Sequence, residues 1–91
     1  MTDAAVEQAP NKGAAPQAVL QYLAEQIVDD RDSIRIDVES GPGGVILRLR
    51  VAPDDMGKVI GKRGRVAQSI RTLVRAAAAR EGIGVTVDIV D

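Results

Sequence analysis

The chain has 91 residues, a formal net charge of −1 and 45% hydrophobic residues, which suits one domain with a single core. It contains no Trp, Phe, Cys or His, and one Tyr. These absences exclude disulfides, thiolate nucleophiles and metal sites built on Cys or His, and they leave a core of Val, Ile, Leu and Ala. No apolar run approaches the ~18 residues of a membrane span, and no signal-peptide pattern opens the chain, so we expect a cytoplasmic protein.

The small net charge conceals a strongly basic segment. Residues 1–55 carry a charge of −5, residues 56–80 carry seven cations and no acid, and residues 81–91 carry −3. Such segregation indicates a local anion-binding site. The alternative is a solvated helix face on which like charges have gathered by chance.

The first half of the chain predicts a tail, a helix and a hairpin. Residues 1–15 lack periodicity and are predicted to be a disordered tail before one folded domain, residues 16–91. Pro16 suits the first turn of an amphipathic helix, and the acids that follow this helix are interpreted as its solvated end. Residues 33–40 and 45–51 alternate between apolar and polar side chains around a GPGG turn, which predicts a β-hairpin with its apolar residues facing inward.

The second half predicts two helices and a last strand. Pro53 opens a short helix that runs to about Ile60, with Asp54 and Asp55 complementing the dipole in its first turn. Residues 65–80 form a longer helix with Arg71 and Arg75 on an exposed face. Its predicted buried stripe is Val66, Ile70, Leu73 and Ala77, flanked by Ala67 and Val74. Residues 83–91 alternate again after Gly82, so the order α-β-β-α-α-β favours an α+β fold of two layers, a three-stranded sheet with helices on one face.

A glycine-bracketed loop, Gly61-Lys62-Arg63-Gly64, joins the two later helices. Glycine permits positive φ and close approach of the backbone, and the helix that follows presents unpaired N–H groups at its start. Together with Arg65, the two loop cations suit consecutive phosphates of a nucleic-acid chain. The spacing does not match a P-loop. The alternative is an ordinary exposed turn.

The stretch VIGKRGRVAQSI resembles the KH-domain signature, in which a Gly-x-x-Gly loop joins two helices. The element order over residues 16–91 looks like the type II KH arrangement, and the size is similar to the small single-domain bacterial KH proteins of the KhpA/YlqC family. The resemblance implies binding of single-stranded RNA. The residues implied in holding the RNA backbone are Gly61, Lys62, Arg63, Gly64 and Arg65. Those implied in lining or supporting an apolar groove are Val59, Ile60, Val66 and Ile70.

The resemblance also implies that bases lie between the two helices and the edge of the sheet. On that basis the strand 45–51 would form the opposite wall, with Lys58, Arg48 and Arg50 as additional contacts. The competing interpretations are core packing for the four aliphatic residues and an ordinary wet strand face for the two arginines.

Membership of such a family implies further roles and partners. The family is associated with RNA chaperoning, post-transcriptional regulation and cell shape, and with a homodimer or a heterodimer with a larger, KhpB-like RNA-binding protein. Because Tyr22 is the one aromatic residue, base stacking contributes little, so a single groove should bind weakly and with clear salt dependence. The alternative function is a protein-interaction adaptor. Without His or Cys we expect no enzyme, and we expect no cofactor or metal.

Overall fold

A computed structural model of the protein describes residues 13–90. The helices are α1 (Ala14–Ile27), α2 (Met56–Ile60) and α3 (Arg65–Arg80), and the strands are β1 (Arg35–Gly41), β2 (Gly44–Arg50) and β3 (Gly84–Ile89). Short 3-10 turns occupy Arg31–Ser33, Pro53–Asp55 and Lys62–Gly64. The order α-β-β-α-α-β is the one that the sequence predicts. None of the helices in the described part is long and apolar enough to cross a membrane.

β2 is the centre of a three-stranded sheet, antiparallel to β1 and parallel to β3. Leu47 and Leu49 are fully buried under the helices. Because side chains alternate across a strand, Arg48 and Arg50 lie on the opposite, open face. The predicted two-layer α+β architecture with helices on one face is therefore confirmed.

The core is aliphatic, as the composition requires. It joins all three helices to the central and third strands. Its buried side chains include Leu20 and Ala24 of α1, Leu47 and Leu49 of β2, Val59 of α2, Ile70 and Val74 of α3, and Val87 of β3.

The start of α1 lies slightly earlier than the sequence indicates. The helix begins at Ala14, so Pro16 occupies its first turn and is buried. Ala14 and Ala15, assigned to the tail from sequence, are helical, whereas residues 1–12 of that predicted tail lie outside the described residues. Glu81, just after α3, accepts hydrogen bonds from the N–H groups of Gly13 (3.1 Å) and Ala15 (3.2 Å) and so caps the N-terminus of α1.

Two inward-facing predictions are wrong. Leu73 is 51% exposed, because α3 turns a different stripe toward the sheet: Ala67, Ile70, Val74 and Ala78. Val38 is 45% exposed although it pairs with Leu47, because β1 is an edge strand that the helices leave uncovered at this point. Both residues lie on the predicted element, but on a part of it that no other element covers.

Candidate nucleic-acid interface

The loop between α2 and α3 has a backbone that is held in place at both ends. The Gly61 N–H donates to the Gly57 carbonyl (2.8 Å), and the Gly64 N–H donates to the Gly61 carbonyl (3.1 Å). Gly61 has φ 76° and ψ 174°, Arg63 has φ 59°, and Gly64 has φ 74°. Three of the four loop residues therefore have left-handed φ values, which explains why glycines bracket it.

Gly61 is required for a second, steric reason. A Cβ atom on Gly61 would stand 2.6 Å from the Val66 Cβ and 2.8 Å from the Val66 nitrogen, whereas one on Gly64 would meet nothing within 4 Å. The loop backbone therefore packs directly against the first turn of α3.

The loop concentrates positive charge that nothing in the described part of the chain neutralises. Lys62, Arg63 and Arg65 are exposed, and none of them forms an ion pair with another described residue. Gly64 is the N-cap of α3 and has no side chain with which to accept a hydrogen bond from the first-turn N–H groups. The helix dipole and three formal charges thus meet at one end of the helix, an arrangement that favours anions.

The four aliphatic residues assigned to the groove divide into two pairs. Ile60 is 37% exposed and Val66 is half-buried, so both reach the surface beside the loop. Val59 and Ile70 are buried in the core, where they can support that surface but cannot line it.

The strand 45–51, expected at the edge of the sheet, is instead its central strand, β2. The sheet edge beside α3 is β3, on which α3 packs. Arg71, expected on a solvated face, is instead half-buried, and its Nε donates to the Val87 carbonyl of β3 (3.2 Å). β3 is therefore the edge strand that lies next to α3.

Arg48 and Arg50 lie away from the loop, on the open face of the sheet. Arg48 pairs with Glu39 and approaches Asp88 (3.7 Å), and Arg50 pairs with Asp37. The hydrogen bond to Glu39 raises the pKa of Arg48. Both arginines serve cross-strand ion pairs, as the wet-face interpretation expects, and the structure does not bring them to the glycine loop.

Lys58 lies in the last turn of α2 and is already partnered. Its Nζ pairs with the Asp29 carboxylate and lies 3.7 Å from Asp55 Oδ1. The hydrogen bond to Asp29 raises the pKa of Lys58, although burial opposes this.

Asp55, which the sequence analysis treats as a helix-dipole residue, is buried with 2% of its surface exposed. It accepts hydrogen bonds from the N–H groups of Asp29 (3.2 Å) and Asp30 (3.1 Å). The Asp30 N–H is the main cause of a lowered pKa for Asp55, which burial opposes and the Asp29 N–H and Lys58 reinforce. Sequence reasoning missed this cluster because Asp29 and Asp30 lie 26 and 25 residues before Asp55, so no local spacing connects them.

Comparison with solved structures shows the fold. Era bound to MgGDPNP and nucleotides 1506-1542 of 16S ribosomal RNA superposes with a TM-score of 0.61 at 16% identity, over 88% of this chain and 30% of Era. A variant of Era from Aquifex aeolicus bound to GDP and AlF4 gives a TM-score of 0.59 with the same identity and coverage.

Comparison of sequences shows the family. The profile described as "KhpA/KhpB, KH domain" matches residues 17–89, so the chain is a KH-domain protein. RNA-binding protein KhpA of Clostridium acetobutylicum is 46% identical over 72 residues, 79% of this chain and 96% of that protein. RNA-binding protein KhpA of Streptomyces coelicolor is 43% identical over 75 residues, 82% of this chain and 91% of that protein. Within the KH class, the chain belongs to the KhpA/KhpB family.

Proposed function

We propose that the protein binds single-stranded RNA, and that the loop Gly61–Gly64 holds the RNA backbone. The proposal rests on three features that occur together at the loop. Its backbone has positive φ values, three cations there form no ion pair with the described residues, and the N-terminus of α3 has no side-chain cap. The relatives named RNA-binding protein KhpA support the same ligand.

The proposed binding surface follows from burial and topology. Lys62, Arg63 and Arg65 contact phosphates, the N–H groups at the start of α3 add donors, and Ile60 and Val66 contact bases or riboses. β3 takes the place of β2 as the wall at the sheet edge, and Val59 and Ile70 support the groove from the core.

The salt dependence of binding tests this proposal. We expect a fluorescent oligouridine to bind weakly, with log K falling against log salt at a slope of about −0.7 for each phosphate neutralised, or about −2 for Lys62, Arg63 and Arg65 together. Absence of binding even at low salt would overturn the proposal.

As a member of this family, the protein is proposed to act in the cytoplasm as an RNA chaperone and post-transcriptional regulator, including in pathways that control cell shape. No catalytic step is part of this proposal. A gain in the rate of RNA strand annealing on adding the protein, measured with a labelled pair of complementary strands, would test the chaperone role.

The proposal includes self-association, or association with a larger KhpB-like protein. Either partner would use the same apolar groove. Its support is an open groove between α1 and α3 lined by Ala15, Val19, Leu73, Ala76, Ala77 and Arg80. Leu73, at the middle of α3, exposes half of its surface to this groove. A second copy covering Leu73 would join two weak RNA sites and raise the overall affinity by effective concentration.

The adaptor function is the second candidate, and the same apolar groove favours it. If the protein acted only as an adaptor, it would form the protein complex without binding RNA. Lys62 and Arg63 argue against that outcome, because a loop that had lost its ligand would have no need for two exposed cations.

A further inference from the structure

Lys58 belongs to the basic segment but does not contribute free charge to it. It stands three residues before Gly61, in the turn of α2 that leads directly into the loop. It therefore precedes the loop by about one helical turn along the chain. Its ammonium group is instead held by Asp29, with Asp55 next to it.

Backbone hydrogen bonds hold the segment that contains Asp29. The buried Asp55 accepts the N–H groups of both Asp29 and Asp30, and this fixes the connection between α1 and β1 against the start of α2. The backbone of Asp29 is therefore held near Lys58, within reach of the ion pair between the two side chains.

We propose that Asp29 limits the affinity of the glycine loop for RNA, because its ion pair with Lys58 withholds a fourth cation from the phosphates. This inference rests on the proposed RNA-binding function. The side chain of Asp29 is 81% exposed and that of Lys58 is 46% exposed, so the pair is weak and screened by solvent, and its effect on RNA affinity should be small. Asp29 thus acts as a competitor of the RNA phosphate for Lys58.

The test compares Asp29→Asn with Asp32→Asn by anisotropy of a labelled oligouridine over a range of salt. Asp32 lies in the same connection and removes the same charge, but it forms no ion pair with the residues described. Asp29→Asn should bind about two- to fivefold more tightly. Its salt slope should be steeper than that of the wild type by about 0.7, corresponding to one more phosphate contact. Asp32→Asn should leave the slope unchanged.

Two further variants complete the experiment. Asp29→Asn combined with Lys58→Gln should return both the affinity and the slope to wild-type values, because the gain depends on the released ammonium group. Asp29→Ser should show the same RNA affinity and salt slope as Asp29→Asn. This comparison separates loss of the carboxylate from any effect of the new amide. Thermal unfolding checks that each variant folds.

The outcomes separate this inference from the function beneath it. If the wild type binds RNA and Asp29→Asn shows the same slope as the wild type, or if Asp32→Asn gives an equal gain, the inference is overturned while RNA binding stands. If the wild type binds no RNA at low salt, the proposed function is overturned and the inference falls with it.

Discussion

At the scale of single residues, Gly61 and Gly64 share a positive φ but differ in the space around them. Gly61 combines φ 76° with ψ 174°, a region that essentially only glycine occupies, and a Cβ there would overlap Val66. Gly64 lies in the left-handed helical region with open space beside it.

We therefore predict that Gly61→Ala lowers the free energy of unfolding by about 2 kcal/mol or more. Gly64→Ala should lower it by about 1 kcal/mol, the cost of a left-handed alanine alone. Urea unfolding of both variants measures the difference. Equal losses would contradict the steric role of Gly61.

Asp55 gives a prediction about pH. Its pKa is lowered in the folded protein, so its contribution is present above the unfolded value of about 3.9 and is lost as pH falls through the folded value. Asp55→Asn should be less stable than the wild type at pH 7, and the two stabilities should converge below about pH 4. Unfolding measured from pH 7 to pH 3 tests this.

The control is Asp54→Asn, which removes the same charge from the adjacent, exposed position. A constant difference between the wild type and Asp55→Asn at all pH values would show that the Asp55 carboxylate charge has no part in holding the connection between α1 and β1.

The glycine loop could be predicted from sequence because its determinants are local: two glycines, two cations and a following helix, all within about ten residues. The roles of Asp55 and Lys58 could not. Asp55 depends on the N–H groups of Asp29 and Asp30, and Lys58 depends on the Asp29 carboxylate, all of which precede the hairpin in the chain. The apolar pattern of the sequence is equally consistent with Val59 and Ile70 lying in the core or in the groove. Only the packing of the folded chain shows that both are buried in the core.

At the scale of elements, α1 depends on a residue from the far end of the domain. Its N-cap, Gly13, has no side chain, and Glu81 after α3 supplies the acceptor for two of its N–H groups. This contact joins the first helix of the described chain to the last.

We predict that Glu81→Ala lowers the free energy of unfolding by about 1 kcal/mol, the usual value of a lost N-terminal cap. Glu81→Gln, which keeps one acceptor oxygen, should lose less. Asp32→Ala is the control for charge removal, and equal stability of Glu81→Ala and this control would rule out the cap. Thermal unfolding at moderate salt is the measurement.

The order of elements could be predicted because each has clear limits: alternation for the strands, and proline or glycine at the ends of helices. The rotation of α3 could not. Its alanines make a wide apolar arc, so the stripe with Leu73 and the stripe with Val74 have similar patterns, and packing on both α1 and β3 selects the latter. The position of β2 in the sheet likewise depends on long-range strand pairing, which alternation alone does not reveal.

At the scale of the whole molecule, two surfaces on α3 have different characters. The N-terminal end presents cations beside the glycine loop, and the middle presents Leu73 above the groove shared with α1. Leu73 also lines a shallow pocket with Arg65, Gln68, Ser69 and Thr72, so the two surfaces adjoin each other.

We predict that the wild type self-associates and that Leu73→Gln shifts it toward monomer, because the substitution removes the apolar contact without disturbing the core. Val38→Thr is the matched control, since it also replaces an exposed apolar residue but on β1. Sedimentation velocity over a concentration series distinguishes the two. A monomeric wild type, or an equal shift by both variants, would contradict self-association through this groove.

The charge distribution also belongs to the whole molecule, because a net charge of −1 should repel RNA unless the basic end acts locally. The most direct test compares Lys62→Asp/Arg63→Asp with Arg35→Asp/Arg75→Asp, two variants that change the net charge by the same amount. Aspartate tolerates the left-handed φ of Arg63, so the loop backbone should persist. RNA affinity at about 0.1 M salt should fall more than about tenfold for the loop variant and within about threefold for the control. Equal losses in the two variants, or unchanged binding by the loop variant, would contradict the account of the glycine loop as the RNA-backbone site.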